Sequence, residues 1–141
     1  MKTELDILLY RYFLCIAVYV LASDLNQAVG ILLSEGVITN YFLRTLVMVV
    51  PAYALMFLCG LMAGLQIKKK PILHASIATM IGASIHIKFI SGLAAGDYIR
   101  VFLMLALGAV FGGVGGLASV ATNRMRSKRS KTERNTDHSD I

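Results

Sequence analysis

Uncharged stretches dominate the pattern of polar and apolar positions along this chain. No charged residue occurs from position 45 to 67 or from 101 to 123, and the shorter stretch 12–23 is uncharged as well. About 20 apolar helical residues, each rising about 1.5 Å, cross a hydrocarbon core of roughly 30 Å. The pattern therefore predicts an all-α integral membrane protein rather than a water-soluble domain.

Charged and helix-breaking residues near these stretches suggest where the spans lie. Arg11 lies about one turn inside the first span, from where its long side chain can reach the headgroups. Pro51 lies inside the second span, which membrane helices tolerate when neighbouring groups satisfy the freed carbonyl. Together the spans predict a four-helix transmembrane bundle within a domain over 1–123. The predicted spans are about 7–23, 43–67, 72–93 and 98–122.

Two segments outside the spans are predicted to be irregular. Residues 24–42 mix acidic and amide side chains with a short apolar patch, which predicts an outer loop with a short interfacial helix rather than another crossing. Residues 124–141 are mostly Ser, Thr, Asn and charged residues, which cannot bury enough apolar area to fold alone. We therefore predict a disordered basic tail at the C-terminus.

Composition and charge add a topology to this picture. Of the 141 residues, 57% are hydrophobic, which is more than one small water-soluble core would absorb. With four crossings and an inside N-terminus, eleven of the fourteen Lys and Arg residues fall on one side. The positive-inside rule then predicts that both termini are cytoplasmic, and a bacterial inner membrane fits best as the location. The eleven are Lys2, Arg11, Lys68, Lys69, Lys70, Arg124, Arg126, Lys128, Arg129, Lys131 and Arg134.

The glycines of the fourth span recur at the spacing of close helix packing. In Gly108-x-x-x-Gly112-x-x-x-Gly116 the three glycines share one face of a helix. A face without side chains lets another helix approach closely in lipid. The pattern predicts a packing helix and leaves open whether its partner belongs to the same chain or to a second copy. The predicted helix-packing residues are Gly60, Gly64, Gly108, Gly112, Gly115, Gly116 and Ser119.

The third span is the most polar of the four. Lys88 lies well inside it, and ionisable residues at membrane depth are functional hypotheses by default. In one interpretation Thr79, His86 and Lys88 form a polar pathway for a solute or proton. In the other, Lys88 reaches the nearby interface and His86 is hydrogen-bonded inside the bundle. His86 and Lys88 are two residues apart, so they cannot line one narrow cavity together.

Two basic clusters flank the spans on their predicted inner side. Anionic lipid headgroups attract each basic residue near the surface by about 1 kcal/mol. We therefore expect a bilayer with anionic headgroups as a partner. We expect no nucleic acid, because the C-terminal run has no aromatic residue for base stacking. The predicted headgroup contacts are Lys68, Lys69, Lys70, Arg124, Arg126, Lys128, Arg129 and Lys131.

The sequence contains no arrangement typical of catalysis or metal binding. The eight acidic residues lie near the ends of the chain or between spans, and no Gly-x-Ser-x-Gly motif occurs. The three histidines lack acidic or thiol companions at ligand spacing. Cys15 and Cys59 lie in apolar stretches, where a thiol usually behaves as a small hydrophobe. We therefore expect a non-enzymatic protein without a metal or cofactor.

Parts of the chain are similar in outline to two families of small membrane proteins. Ala52-Tyr53-Ala54-Leu55 resembles a stretch of the small multidrug exporters, but that family needs a glutamate within its first span, and here Glu4 precedes the span. A few spans followed by a basic tail resemble the outline of phage holins. Neither resemblance carries functional residues onto this chain.

Two functions follow as expectations. The first is an accessory or assembly subunit of a membrane complex, which acts through helix packing and binds another membrane protein or a second copy through Gly108, Gly112 and Gly116. The alternative is a small channel, transporter or holin-like permeabiliser that uses the polar third span.

Overall fold

Four helices make up the described part of the chain. The structure is a computed structural model, and it describes residues 4–36, 40–91 and 98–136. The prediction of an all-α chain with four helices is confirmed. The helices are α1 (Glu4–Gly36), α2 (Tyr41–Gln66), α3 (Pro71–Ser91) and α4 (Tyr98–Thr136).

Three of these helices are long and apolar enough to cross a membrane. The candidate segments are Asp6–Leu33 in α1, Tyr41–Gln66 in α2 and Val101–Ser127 in α4. Within the described residues α3 is not among them, so a fourth crossing stays a prediction. Large apolar side chains such as Phe13 and Phe102 face outward. Such an exterior is compatible with insertion into lipid.

The expected loop at residues 24–42 is wrong over most of its length, because α1 continues without interruption to Gly36. Two polar residues of this segment, Asp24 and Asn26, form hydrogen bonds with neighbouring helices. The imidazole Nδ1 of His86 donates to the Asp24 carboxylate over 3.0 Å, and the Asn26 amide donates to a backbone carbonyl of α2. Leu25 and Leu32 keep the outer face apolar. A polar residue that is paired inside a bundle need not end a helix.

The expected disorder of the basic tail is wrong as far as Thr136, because α4 continues to that residue. Residues 137–141 lie outside the described part. Lys, Arg, Met and Glu all have good helix propensity. Extending an existing helix adds one hydrogen bond per residue and needs no new nucleus. The 39 residues of α4 give a rod of about 58 Å.

Local sequence explains where α2 begins and ends. The side chain of Asn40 caps α2 by accepting from the amide of Phe42 at 2.9 Å. At the other end, the chain turns within four residues, and Lys70 adopts a φ of 47°. Pro71 then occupies the first position of α3, where its missing N–H costs no helical hydrogen bond.

The central pair of the bundle consists of α2 and α3. These two helices contact each other, and each also contacts α1 and α4, whereas α1 and α4 do not touch in the described part of the chain. The N-terminus of α1, the α2–α3 link and the C-terminal third of α4 lie at the same end of the bundle. We call this end the basic end. Small residues fill the interior. The least exposed are Cys15, Ala63, Ala75, Ala78, Thr79, Ala83 and Ser119.

Candidate functional site

The predicted helix-packing residues lie where α4 packs against α2 and α3, and we call this contact the glycine interface. A Cβ built on Gly60 would overlap the carbonyl oxygen of Gly112 and lie 2.6 Å from its Cα. A Cβ built on Gly115 would lie 2.6 Å from the amide nitrogen of Leu61. Real Cβ contacts are not this short, so the two backbones approach as closely as glycine allows.

The same face of α4 also packs against α3. A Cβ on Gly112 would lie 2.5 Å from the Thr79 hydroxyl, and a Cβ on Gly116 would lie 2.8 Å from the Cα of Ile72. Gly108 is looser, with its nearest neighbour, the carbonyl oxygen of Thr79, at 3.4 Å. The glycine face of α4 is thus occupied by helices of its own chain.

Hydroxyl groups complete the glycine interface without leaving a polar atom unpaired. Ser76 donates across the α3–α4 contact to the carbonyl of Ala109 at 3.0 Å. Thr79 and Ser119 are fully buried and donate to carbonyls of their own helices, those of Ala75 at 2.9 Å and Gly116 at 2.6 Å. A Cβ on Gly64 would lie 2.9 Å from the Cβ of Ser119, so this side chain also fills the α2–α4 contact.

Polar side chains hold α1, and we call this contact the α1 interface. At the basic end, the Arg11 guanidinium donates to the carbonyl of Gln66, the last residue of α2. One residue further, the Tyr12 hydroxyl shares a hydrogen bond with Nδ1 of His74. The contact from the Arg11 guanidinium to the C-terminus of α2 satisfies a carbonyl that has no partner within the helix.

Towards the other end, α1 makes two more polar contacts. Asp24 pairs with His86 of α3 over 3.0 Å. The Asn26 amide donates to the carbonyl of Met48 at 3.3 Å. Pro51 lacks the N–H that would bond the carbonyl of Val47, so the Asn26 contact to Met48 lies one residue from the gap in the hydrogen-bond ladder of α2.

Larger side chains lie between these polar contacts. The ring of Tyr19 is buried and lies against Gly82, where a Cβ would be 2.7 Å from the ring Cδ1. The ring also meets His86 edge-on, with the ring centroids 6.5 Å apart. Beside it, the Cys59 thiol lies 3.8 Å from the carbonyl oxygen of Cys15, and both cysteines are free and buried.

Three cavities lie along α1. The smallest of the three, of about 180 Å³, is lined by Tyr19, Ser23, Asn26, Gln27 and His86 together with apolar residues of the other helices. A groove of about 400 Å³ runs between α1 and the part of α2 that follows Pro51. The third, of about 570 Å³, lies at the basic end. The α1 interface is therefore less completely filled than the glycine interface.

The predicted polar pathway does not form one lining in the structure. Thr79 faces α4 at the glycine interface, whereas His86 faces α1 and the Asp24 carboxylate. The side chain of Lys88 lies outside the described part. Sequence reasoning missed Asp24 as the partner of His86 and Asn26 as the partner of the Met48 carbonyl. A helical period continues past the predicted end of the first span, through Cys15, Tyr19, Ser23, Asn26 and Gly30. This spacing could have revealed that Asn26 lies on the packed face of α1.

The predicted headgroup residues fall into two exposed groups. Lys68, Lys69 and Lys70 are exposed on the α2–α3 link, and Arg124, Arg126 and Arg129 are exposed on α4. The side chains of Lys128 and Lys131 lie outside the described part. Among the residues that the structure describes, no group of His, Cys, Asp and Glu could hold a metal ion.

We compared the chain with known proteins by sequence and by structure. No protein-family model, no curated protein and no solved structure matches it.

Proposed function

We propose that this chain is a non-enzymatic, multi-pass membrane protein that serves as an accessory or assembly subunit of a membrane complex. In the proposed topology it crosses the bacterial inner membrane four times, with both termini in the cytoplasm. The three apolar helices and the outward-facing Phe and Leu side chains support the membrane location. The placement of Arg11, Lys68 and Arg124 at one end of the bundle supports the orientation.

The observation that carries the proposal is the glycine interface. Gly60 of α2 and Gly115 of α4 each lie against backbone atoms of the other helix. The two helices therefore have no room to slide past each other. Together with α3 they form a closely packed unit, which suits a structural subunit better than a transporter that rearranges its helices. Gly112 and Gly116 are occupied within the chain, so the proposed partner binds a different face.

Native gel electrophoresis and crosslinking in mild detergent test the accessory role. We expect the tagged chain to migrate in a defined complex that contains another membrane protein or further copies. Gly112→Ile should eliminate this species, because its side chain displaces α3, whereas Val114→Ile on the exposed face of α4 should leave it unchanged. A chain that is purely monomeric in native membranes would refute the accessory role.

A small channel or transporter is the second candidate, and the 180 Å³ cavity favours it. Its polar side chains come from α1 and α3, and at about 30 Å³ per molecule its volume corresponds to about six waters. His86, which lines the cavity, pairs with Asp24. This function predicts ion or proton flux in liposomes that His86→Ala changes. The accessory function predicts that His86→Ala leaves the membrane complex intact and that purified protein gives no flux.

A further inference from the structure

The third cavity, at the basic end, has a composition unlike the other two. It is an open groove of about 570 Å³ between the first turns of α1, the α2–α3 link and the start of α3. This volume falls within the range of roughly 300–1,000 Å³ that ligand sites occupy. Its lining is Ile7, Leu8, Arg11, Ile67, Lys68, Lys69 and His74.

Positive charge from two separate elements converges on this groove. Arg11 comes from α1, and Lys68 and Lys69 come from the α2–α3 link. None of the described lining residues is acidic; Asp6, the neighbour of Ile7, is not part of the lining. The groove therefore presents three cations to one ligand without a carboxylate in its wall.

The polar side chains of the groove differ in how firmly they are held. Arg11 is fixed because one guanidinium nitrogen donates to the carbonyl of Gln66, which leaves its other N–H groups available to bind an anion. His74 is fixed through its contact with Tyr12. Lys68 and Lys69 are exposed and can turn towards a ligand. A planar guanidinium in a fixed position suits an oxyanion such as a phosphate.

The remaining wall is apolar. Ile7 is exposed and Leu8 is half-buried, and the apolar exterior continues along the face of Ile7 to the exposed Leu14, seven residues further on. A ligand of this groove therefore needs an anionic group near Arg11 and an apolar part along α1. A free phosphate would satisfy the first requirement and leave the second unused.

We propose that this groove binds one anionic phospholipid, with its phosphate at Arg11, Lys68 and Lys69 and an acyl chain along Ile7 and Leu8. The inference rests on the proposed membrane insertion, and it adds a defined lipid site to it. Basic pockets between membrane helices on the cytoplasmic side recognise lipid headgroups in this way. Arg124, Arg126 and Arg129 of α4, in contrast, lie on an exposed helix surface.

Native mass spectrometry of the full chain in detergent tests the site, with phosphatidylglycerol as the probe and phosphatidylcholine as the neutral comparison. The variant is Lys68→Gln with Lys69→Gln, because both lysines are exposed and their loss should leave the fold intact. The control is Arg124→Gln with Arg126→Gln, which removes the same charge from α4. We expect phosphatidylglycerol to bind about tenfold or more weaker to the first variant and almost unchanged to the second.

Three outcomes would overturn the lipid site while leaving the proposed function standing. The two double variants could lose the lipid equally, which would mean a general charge effect. Phosphatidylcholine could bind as well as phosphatidylglycerol, which would exclude recognition by charge. Glycerol phosphate, which has no acyl chain, could displace the lipid at equal concentration, which would exclude the apolar contact. Recovery of the chain in the aqueous fraction without detergent would instead refute the proposed function.

Discussion

The two outer helices, α1 and α4, pack on opposite sides of the same central pair but are attached to it in different ways. The contact of α4 consists of backbone against backbone, with Gly60 facing Gly112 and Gly115 facing Leu61. The contact of α1 consists of side chains, with the Tyr19 ring in the middle and polar pairs such as Asp24–His86 nearer the ends. All three cavities border α1, whereas Gly60 and Gly115 leave no space for a Cβ where α4 contacts α2.

This difference shows two ways of fixing a helix where the hydrophobic effect between helices is weak. The position of α4 depends on shape, because dispersion contact increases only when small residues let the backbones approach. The position of α1 depends on directed hydrogen bonds, which tolerate small shifts of the side chains that form them. We therefore expect α4 to be sensitive to added atoms and α1 to be sensitive to lost polar groups.

The largest effect is expected where an atom is added to the glycine interface. Gly60→Ala should destabilise the bundle by about 2–3 kcal/mol, because the new methyl group meets the Gly112 backbone, which cannot rotate away. Thermal unfolding in detergent, followed by circular dichroism, measures this change. Gly108→Ala is the matched control, since its methyl group would have its nearest neighbour at 3.4 Å and should cost almost nothing. Equal melting temperatures for both variants would contradict the comparison.

A smaller effect is expected from removing polar groups at the α1 interface. Tyr12→Phe combined with Asp24→Asn removes the contact to His74 and weakens the one to His86, which should cost about 1–2 kcal/mol in total. The loss should loosen α1 and speed maleimide labelling of the buried Cys59 and Cys15.

Labelling rates at constant pH, compared with those of the unmodified chain, provide the measurement. Thr45→Val is a suitable control, because it removes an exposed hydroxyl that donates to the carbonyl of Tyr41 within α2 itself. If labelling of both cysteines stays at the starting rate in the double variant, polar contacts do not hold α1.

The same chemical change at the other interface separates the two modes of packing directly. Gly82→Ala places a methyl group 2.7 Å from the Tyr19 ring, yet the ring borders a cavity and can move. We expect a loss of about 1 kcal/mol, which is clearly less than for Gly60→Ala. The same unfolding experiment decides the order, and a larger loss at Gly82 would reverse our ranking of the interfaces.

The smallest effect is expected in the α2–α3 link, which connects the two helices of the central pair. Lys70 has a φ of 47°, a region that costs a residue with a side chain about 1 kcal/mol and costs glycine little. Lys70→Gly should therefore raise stability slightly, by about 0.5 kcal/mol after the added chain entropy of glycine is counted. Lys69→Gly, which gains no such relief, should lower the melting temperature instead.

Much of the fold could be predicted from sequence because apolar runs and glycine spacing are local signals. The uncharged stretch 45–67 corresponds closely to α2, and the glycines from Gly108 to Gly116 share one face of α4. The sequence pattern could not decide which helix would meet that face, because this depends on chain topology.

The errors arose where a residue depends on a distant partner. Asp24 looked like the end of a span, since its partner His86 is 62 residues away and no local pattern joins them. The helical continuation of α4 through the basic residues was missed because a preformed helix supports residues that would not fold alone. The groove at the basic end was missed for the first of these reasons, because Arg11 belongs to α1 and Lys68 to the α2–α3 link.

The length of α1 has a consequence for how the protein responds to its bilayer. Its candidate membrane segment, Asp6–Leu33, has 28 residues and measures about 42 Å, against roughly 30 Å of hydrocarbon in an average membrane. The surplus has to be absorbed by tilting, by local thickening of the lipid or by exposure at the ends. In the proposed membrane setting, a change of bilayer thickness would therefore act on the inclination of α1, the outer helix that is held by hydrogen bonds.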